Sequence, residues 1–289
     1  MFQLRCAATL AAMVAFSGVA WADGSVSVLY AGSLVNLMER DVGPAFDKLG
    51  GYTFQGYAGG SKGLANQIKG QLRRGDVFIS ADPKVNDTLA GAANGDWVSW
   101  SVNFAQSPLV IGYSPTSRFA EELKTKPWYE VLQEPGIKIG RTDPKLDPKG
   151  AFTVRLLDMA EQVYKVPGLA QKVLGAADNP DQVRPEENLV GSLQSGQLDI
   201  GFFYSTETSD LKIPSIPLPP EVALGAHYTV TVLRDAPDPQ GATKFVAFLL
   251  GAPGIALMKQ HGLDTVKPSL NGDAASVPPE LRAILDTAK

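Results

Sequence analysis

Cysteine is almost absent from this chain of 289 residues, Cys6 being the only one. Once residue 6 is removed, a disulfide, a thiolate metal site and a cysteine nucleophile are all excluded. Histidine is nearly as scarce, with only His227 and His261. Neither has metal-ligand spacing or an adjacent nucleophile motif, so surface or packing roles are expected for both. Basic residues are not in excess, the formal net charge being −4, which speaks against nucleic acid or an anionic membrane as a partner. Beyond residue 22 no apolar run is long enough to cross a bilayer, and no low-complexity segment occurs.

What is present begins with a targeting pattern. Arg5 precedes an apolar run from Ala7 to Val19, and Ala20-Trp21-Ala22 ahead of Asp23 has the small-x-small form of a cleavage site. Residues 1–22 therefore read as a secretory signal, and the mature protein as soluble and periplasmic. Cys6 comes too early in the run to be a lipidation cysteine, so a free protein is expected. Cleavage removes Arg5, moves the net charge from −4 to −5 and leaves about 267 residues, enough for one large domain or two lobes.

The mature chain repeats one local theme. Val26, Val28, Leu29 and Tyr30 suggest a strand, Ala31-Gly32-Ser33 a tight turn, and Leu34, Leu37 and Met38 a helix. Tyr52 to Tyr57, Ala58-Gly59-Gly60-Ser61, and then Leu64, Ile68 and Leu72 repeat the unit. Asp76 to Ser80 gives a buried type of strand, followed by Asp82-Pro83 and a helix around Val85 to Ala92. Three successive βα units imply a parallel α/β sheet. Further strands are expected at Leu109–Tyr113, Ile137–Gly140, Asp199–Tyr204 and Tyr228–Leu233. Helices are expected at Phe152–Tyr164, from Pro185 onward and at Ala242–Leu250, and Ile213–Pro220 reads as a loop.

Two of the turns have chemistry to offer. Ala31-Gly32-Ser33 and Gly59-Gly60-Ser61 each place a hydroxyl and free amides at a helix start beyond the carboxyl end of a strand, where anions bind α/β sheets. A serine there is ordinarily an N-cap. Two turns of one design in neighbouring units favour a shared site, with glycines keeping the approach clear. Gly59-Gly60-Ser61-Lys62-Gly63 lacks the spacing of a nucleotide phosphate loop. Asp82, Asp143, Asp147 and Glu207 could bind a cation or act as acid or base, although Asp-Pro pairs are more often turn formers.

Taken in order, Leu29-Tyr30-Ala31-Gly32-Ser33-Leu34, Ala58-Gly59-Gly60-Ser61 and Gly75 to Asp82 resemble the molybdate/tungstate-binding proteins of ABC importers. The run Gly140-Arg141-Thr142-Asp143-Pro144-Lys145-Leu146-Asp147-Pro148-Lys149-Gly150 is similar to their tungstate-type branch. The resemblance spans most of the mature chain. It implies a type II periplasmic binding protein fold of two α/β lobes, each a mixed sheet flanked by helices, with the ligand in the cleft between them. Lobe one would comprise residues 23–106 and 229–289, and lobe two residues 107–228. Ser33, with Gly32 of its turn, and Ser61 would donate to the anion from the first lobe. The loop Asp147 to Lys149 and the helix start at Glu186 would offer amides from the second, and Tyr204 its phenol. The implied ligand is molybdate or tungstate, with no cofactor, no enzymatic activity, an ABC permease as partner and a monomeric state.

One departure from the branch is plain. The glutamate expected before the tyrosine, which would ligate the metal centre together with the aspartate matching Asp147, is Phe203 here. A carboxylate repels an oxyanion unless it ligates the metal or is protonated, so a four-coordinate anion held by hydrogen bonds is the default, with Asp147 the one candidate direct ligand. Glu207 would point elsewhere on a continuous strand. Sulfate, thiosulfate, phosphate or a small organic anion are alternative cargoes. A periplasmic enzyme acting on a phosphorylated or sulfated substrate, and a sensor subunit of the same fold, are alternatives of other classes.

Overall fold

The computed structural model of the chain describes residues 24–176 and 178–287. The expected signal, residues 1–22 with Cys6, lies outside them. β1 (Gly24–Ala31) runs parallel to β2 (Tyr52–Gly59), in register from Gly24 against Tyr52 to Ala31 against Gly59, and parallel to β3 (Val77–Ser80) on its other side. Alternation along these strands sorts their side chains to two faces. Val26, Val28, Tyr30, Val77 and Ile79 join the main core, whereas Leu29 and Phe78 meet Leu64 and Ile68 of the helix Ser61–Lys69 on the opposite face. Helices therefore cover both sides, as a parallel sheet requires.

β4 (Trp100–Tyr113) is much longer than the expected Leu109–Tyr113 and links two sheets. β5 (Ile139–Gly140) is parallel to β6 (Ile200–Tyr204), and β6 and β7 (Ser215–Pro217) pair with the second half of β4. β8 (Gly225–Val232) pairs antiparallel with β3 and with the first half of β4, and β9 (Asp264–Gly272) pairs with that same half. β4 changes partners between Pro108, which is opposite Gly225, and Leu109, which is opposite Tyr204. This is the mixed α/β, two-lobed architecture.

Two strands escape the apolar pattern. β7 lies within the stretch read as a loop, and β9, Asp-Thr-Val-Lys-Pro-Ser-Leu-Asn-Gly, is mostly solvent-facing. Pro268 falls where the β4–β9 register shifts, between the pairs Asn103–Ser269 and Ala105–Thr265, so its missing N–H is tolerated at an irregularity.

The C-terminal helix Pro239–Leu250 packs on β1 and β8 and on the helix Pro279–Thr287. Buried Asp76 fixes this return of the chain, accepting from the amides of Ser27 (2.7 Å) and Asp238 (2.6 Å). His261 sits between Asp41 (2.7 Å) and Asp210 (3.0 Å), which is a packing role. Among the described residues no single helix is long and apolar enough to cross a membrane.

Candidate functional site

Neither serine of the two turns is a cap. The N-cap of the short turn Gly32–Leu34 is Ala31 and that of the helix Ser61–Lys69 is Gly60, and no side chain caps either start. Ser61 is fully buried, and its hydroxyl oxygen accepts from the amide of Ala81 at 3.1 Å, which leaves its proton free to be donated. Ser33 Oγ lies 2.9 Å from the hydroxyl of Tyr228, a buried residue of β8. A side chain at Gly60 would lie 2.6 Å from the carbonyl of Leu146 and 3.2 Å from the Asp147 carboxylate, so glycine permits this approach of the loop. Gly63 N donates to Leu146 O (2.8 Å) and Lys62 Nζ to Pro144 O (2.9 Å), completing the contact.

The loop from Arg141 is held from beneath. Arg141, fully buried, donates to Gln182 Oε1 and to the Ala176 carbonyl, each at 2.9 Å. Asp147 then caps the helix Pro148–Val163, its Oδ1 accepting from Lys149 N (2.9 Å) and Thr142 Oγ1 (2.8 Å). The Lys149 amide, expected to face a ligand, is thus engaged by its own cap. Its side chain carries more weight. The ammonium is fully buried, 2.9 and 2.8 Å from the two carboxylate oxygens of Glu207 and 3.2 Å from Glu186 Oε1, and these carboxylates hold its pKa above the usual lysine value against the opposing effect of burial.

Glu207 reaches Lys149 because the chain does not continue as a strand. β6 ends at Tyr204 and a helix, Ser205–Asp210, starts at once, so Glu207 folds back and accepts from Tyr204 N at 2.8 Å. The expectation that Glu207 would point away fails for this reason. Phe203 points to the other side of β6, into a cluster with Val110, Leu189, Leu193 and Ile213. Tyr204 points towards Tyr228, with ring centroids 6.2 Å apart, and its hydroxyl is buried without a hydrogen-bond partner.

Glu186 opens the helix Glu186–Gln194, and its carboxylate, rather than a backbone amide, enters the cluster. It accepts from Gly32 N at 3.0 Å, joining the first turn to a helix 154 residues further along the chain. Burial, and then the facing Asp147 carboxylate, push the Glu186 pKa well above the carboxylate range. Burial also raises both tyrosines, with nearby carboxylates adding to it, so both stay protonated and can donate.

The structure thus gathers Gly32, Ser33, Asp147, Lys149, Glu186 and Tyr204 into one buried cluster, with Ser61 at its margin beside Gly60. It adds Tyr228, which sequence reasoning missed, and Glu207, a candidate carboxylate that the sequence places as pointing elsewhere. Tyr228 sits in an ordinary strand pattern and no local signal marks it. A cavity of about 320 Å³, lined by Tyr57, Gly60, Gln67, Asp147, Arg184 and Glu186 among others, leads to the cluster. Among the described residues no group of three or more His, Cys, Asp or Glu side chains is placed to hold a metal ion.

A mixed α/β, two-lobed fold carrying a buried polar cluster is the type II fold of periplasmic binding proteins, and comparison with known proteins agrees on the fold. Residues 26–264 match the bacterial extracellular solute-binding protein family, to which this chain belongs. An uncharacterized solute-binding protein of Petrotoga mobilis is 29% identical, covering 91% of this chain and 90% of its own. The molybdate/tungstate-binding protein WtpA of Thermococcus kodakarensis is 26% identical, covering 81% and 78%. Among solved structures, the periplasmic molybdate-binding protein of Azotobacter vinelandii superposes with a TM-score of 0.62 at 18% identity, over 82% of this chain and 98% of that one, a likeness of fold.

Proposed function

We infer that this protein captures a tetrahedral oxyanion, molybdate or tungstate first, in the periplasm and delivers it to an ABC importer without catalysing a reaction. The observation that carries the reading is the Tyr204 hydroxyl. A buried donor with no partner costs free energy unless a ligand meets it, and this one lies in a cluster that also contains Ser33, Tyr228, Gly32 N and the Lys149 ammonium. Neutral hydroxyl and amide donors can satisfy a desolvated dianion by charge-assisted hydrogen bonds. The relatives named for molybdate and tungstate supply the cargo class. Asp147 Oδ1 is committed to two donors, which favours a four-coordinate anion held by hydrogen bonds.

The lobe boundaries follow the strand partners. Residues 23–106 and 229–289 form one lobe and 107–228 the other, with β4 and β8 carrying the two crossings, an assignment supported by the change of β4 partners at Leu109. Residues 1–22 serve as the signal, and the protein acts as a monomer that docks on its permease. The cavity beside the cluster favours one second reading, a small organic anion whose acidic group takes the same donors. Calorimetric titration of the purified protein with molybdate, tungstate, sulfate and phosphate decides between them. The metal oxyanions should bind and raise the thermal midpoint by mass action, with sulfate much weaker. Absence of binding by both metal oxyanions would overturn the cargo.

A further inference from the structure

The oxyanion site as it stands is not empty of negative charge. Around the single ammonium of Lys149 lie Glu207, Glu186 and Asp147, all nearly buried. Glu207 alone engages Lys149 through both its oxygens and also receives Tyr204 N, so that pair is closed on itself. Glu186 is different. Its Oε2 takes the Gly32 amide, the donor that the first turn would offer to an anion, while its Oε1 stands 3.2 Å from the ammonium and has no hydrogen-bond partner. A carboxylate here does to the protein what an oxyanion would, drawing the first turn towards the helix Glu186–Gln194. It does so incompletely, because the Tyr204 hydroxyl remains unsatisfied beside it.

Resting on the oxyanion reading above, we propose that the Glu186 carboxylate is a built-in stand-in for the cargo, seated beside the Lys149 ammonium of its own lobe and holding the unliganded lobes together through Gly32 N until the oxyanion displaces it. Space supports the exchange as well as charge. A Cβ placed on Gly32 would come within 2.8 Å of Glu186 Oε2, so the carboxylate fills the volume directly against the turn. A dianion cannot share that volume with Glu186 and Asp147 at low local dielectric. The exit for the side chain is the adjoining cavity, which Glu186 itself lines. The high pKa of Glu186 is consistent with a group that sits poorly as an anion where it is. Displacing an internal competitor lowers apparent affinity by the fraction of protein in which the competitor is seated. Glu186 is thus a determinant of affinity in this chain, acting against the ligand.

The test uses Glu186→Ala and, in case that variant folds poorly, Glu186→Gln, which keeps the shape without the charge. Molybdate and tungstate titrations by calorimetry should give affinities at least about tenfold tighter than wild type for Glu186→Ala, and tighter than wild type for Glu186→Gln. An unchanged or weaker affinity in both variants overturns the proposal, since Glu186 would then be a bystander or a ligand residue. Small-angle scattering of the unliganded proteins gives a second readout that needs no cargo. Glu186→Ala should have a larger radius of gyration than wild type, reverting on addition of a bound anion, and an equal radius overturns the stand-in role. If neither wild type nor variants bind any oxyanion, the oxyanion reading fails, and the scattering comparison alone decides whether Glu186 ties the lobes.

Discussion

Removal of the Tyr204 hydroxyl should separate stability from binding. In Tyr204→Phe the ring stays in its place against Tyr228, so packing is retained, and the only loss is an oxygen that is buried without a partner. Leaving a buried hydroxyl unsatisfied costs about 1–3 kcal/mol, and the variant should recover much of it in the unliganded protein. For a chain of this size, where each kcal/mol moves the midpoint by about 2–4 °C, the rise should be roughly 2–10 °C by calorimetry. Affinity should move the other way. A hydrogen bond to a charged ligand is worth about 1.5–3 kcal/mol, so the dissociation constant for molybdate should rise about tenfold to a hundredfold. A variant that is less stable than wild type, or that binds the anion unchanged, would refute the idea that this hydroxyl awaits a ligand.

Other consequences follow from the same cluster. Lys149→Met leaves Glu207 and Glu186 without their cation and should cost about 3–5 kcal/mol in denaturant unfolding at neutral pH, with Glu207→Gln in the same chain restoring part of it. Ser61→Ala strands the Ala81 amide and should cost roughly 1–3 kcal/mol, and Ser33→Ala about 1 kcal/mol. Both serine variants should weaken anion binding about tenfold or more, and stability loss with unchanged affinity would make them merely structural. At pH values between the ordinary glutamate pKa and its higher folded value, Glu186 keeps a proton in the fold that the unfolded chain has lost. Its contribution to stability is therefore complete below the ordinary glutamate pKa of about 4.3 and is lost as pH rises towards the higher folded value. The pH profile of unfolding in Glu186→Gln should lack that decline.

The parts of the molecule most legible in the sequence were those governed by short-range rules. The first three βα units follow from apolar runs and glycine turns, and the observed strands at Gly24–Ala31, Tyr52–Gly59 and Val77–Ser80 lie within two or three residues of expectation. β9 was invisible because its residues are polar and its stability comes from pairing with β4. The site was legible as a list of residues but not as a set of roles. Ser33 and Ser61 looked like caps or ligands, and the observed caps are Ala31 and Gly60. The sequence points to the amides of Lys149 and Glu186, whereas their side chains meet each other. That contact joins residues 37 positions apart through a fold no local pattern encodes. Glu207 departs from expectation because β6 stops at Tyr204, a break set by the helix start that Glu207 itself caps.

An oxyanion seated between the first turn and the Tyr204 hydroxyl would satisfy the buried donor left open there. A crystal structure of the protein grown with tungstate, phased on the tungsten anomalous signal, tests it most directly. One tungsten site is expected, with oxide ligands within hydrogen-bond distance of Gly32 N, Ser33 Oγ and Tyr204 Oη, and Glu186 moved off Gly32. Tungsten located elsewhere, or none bound while Glu186 keeps its place on Gly32, would contradict it.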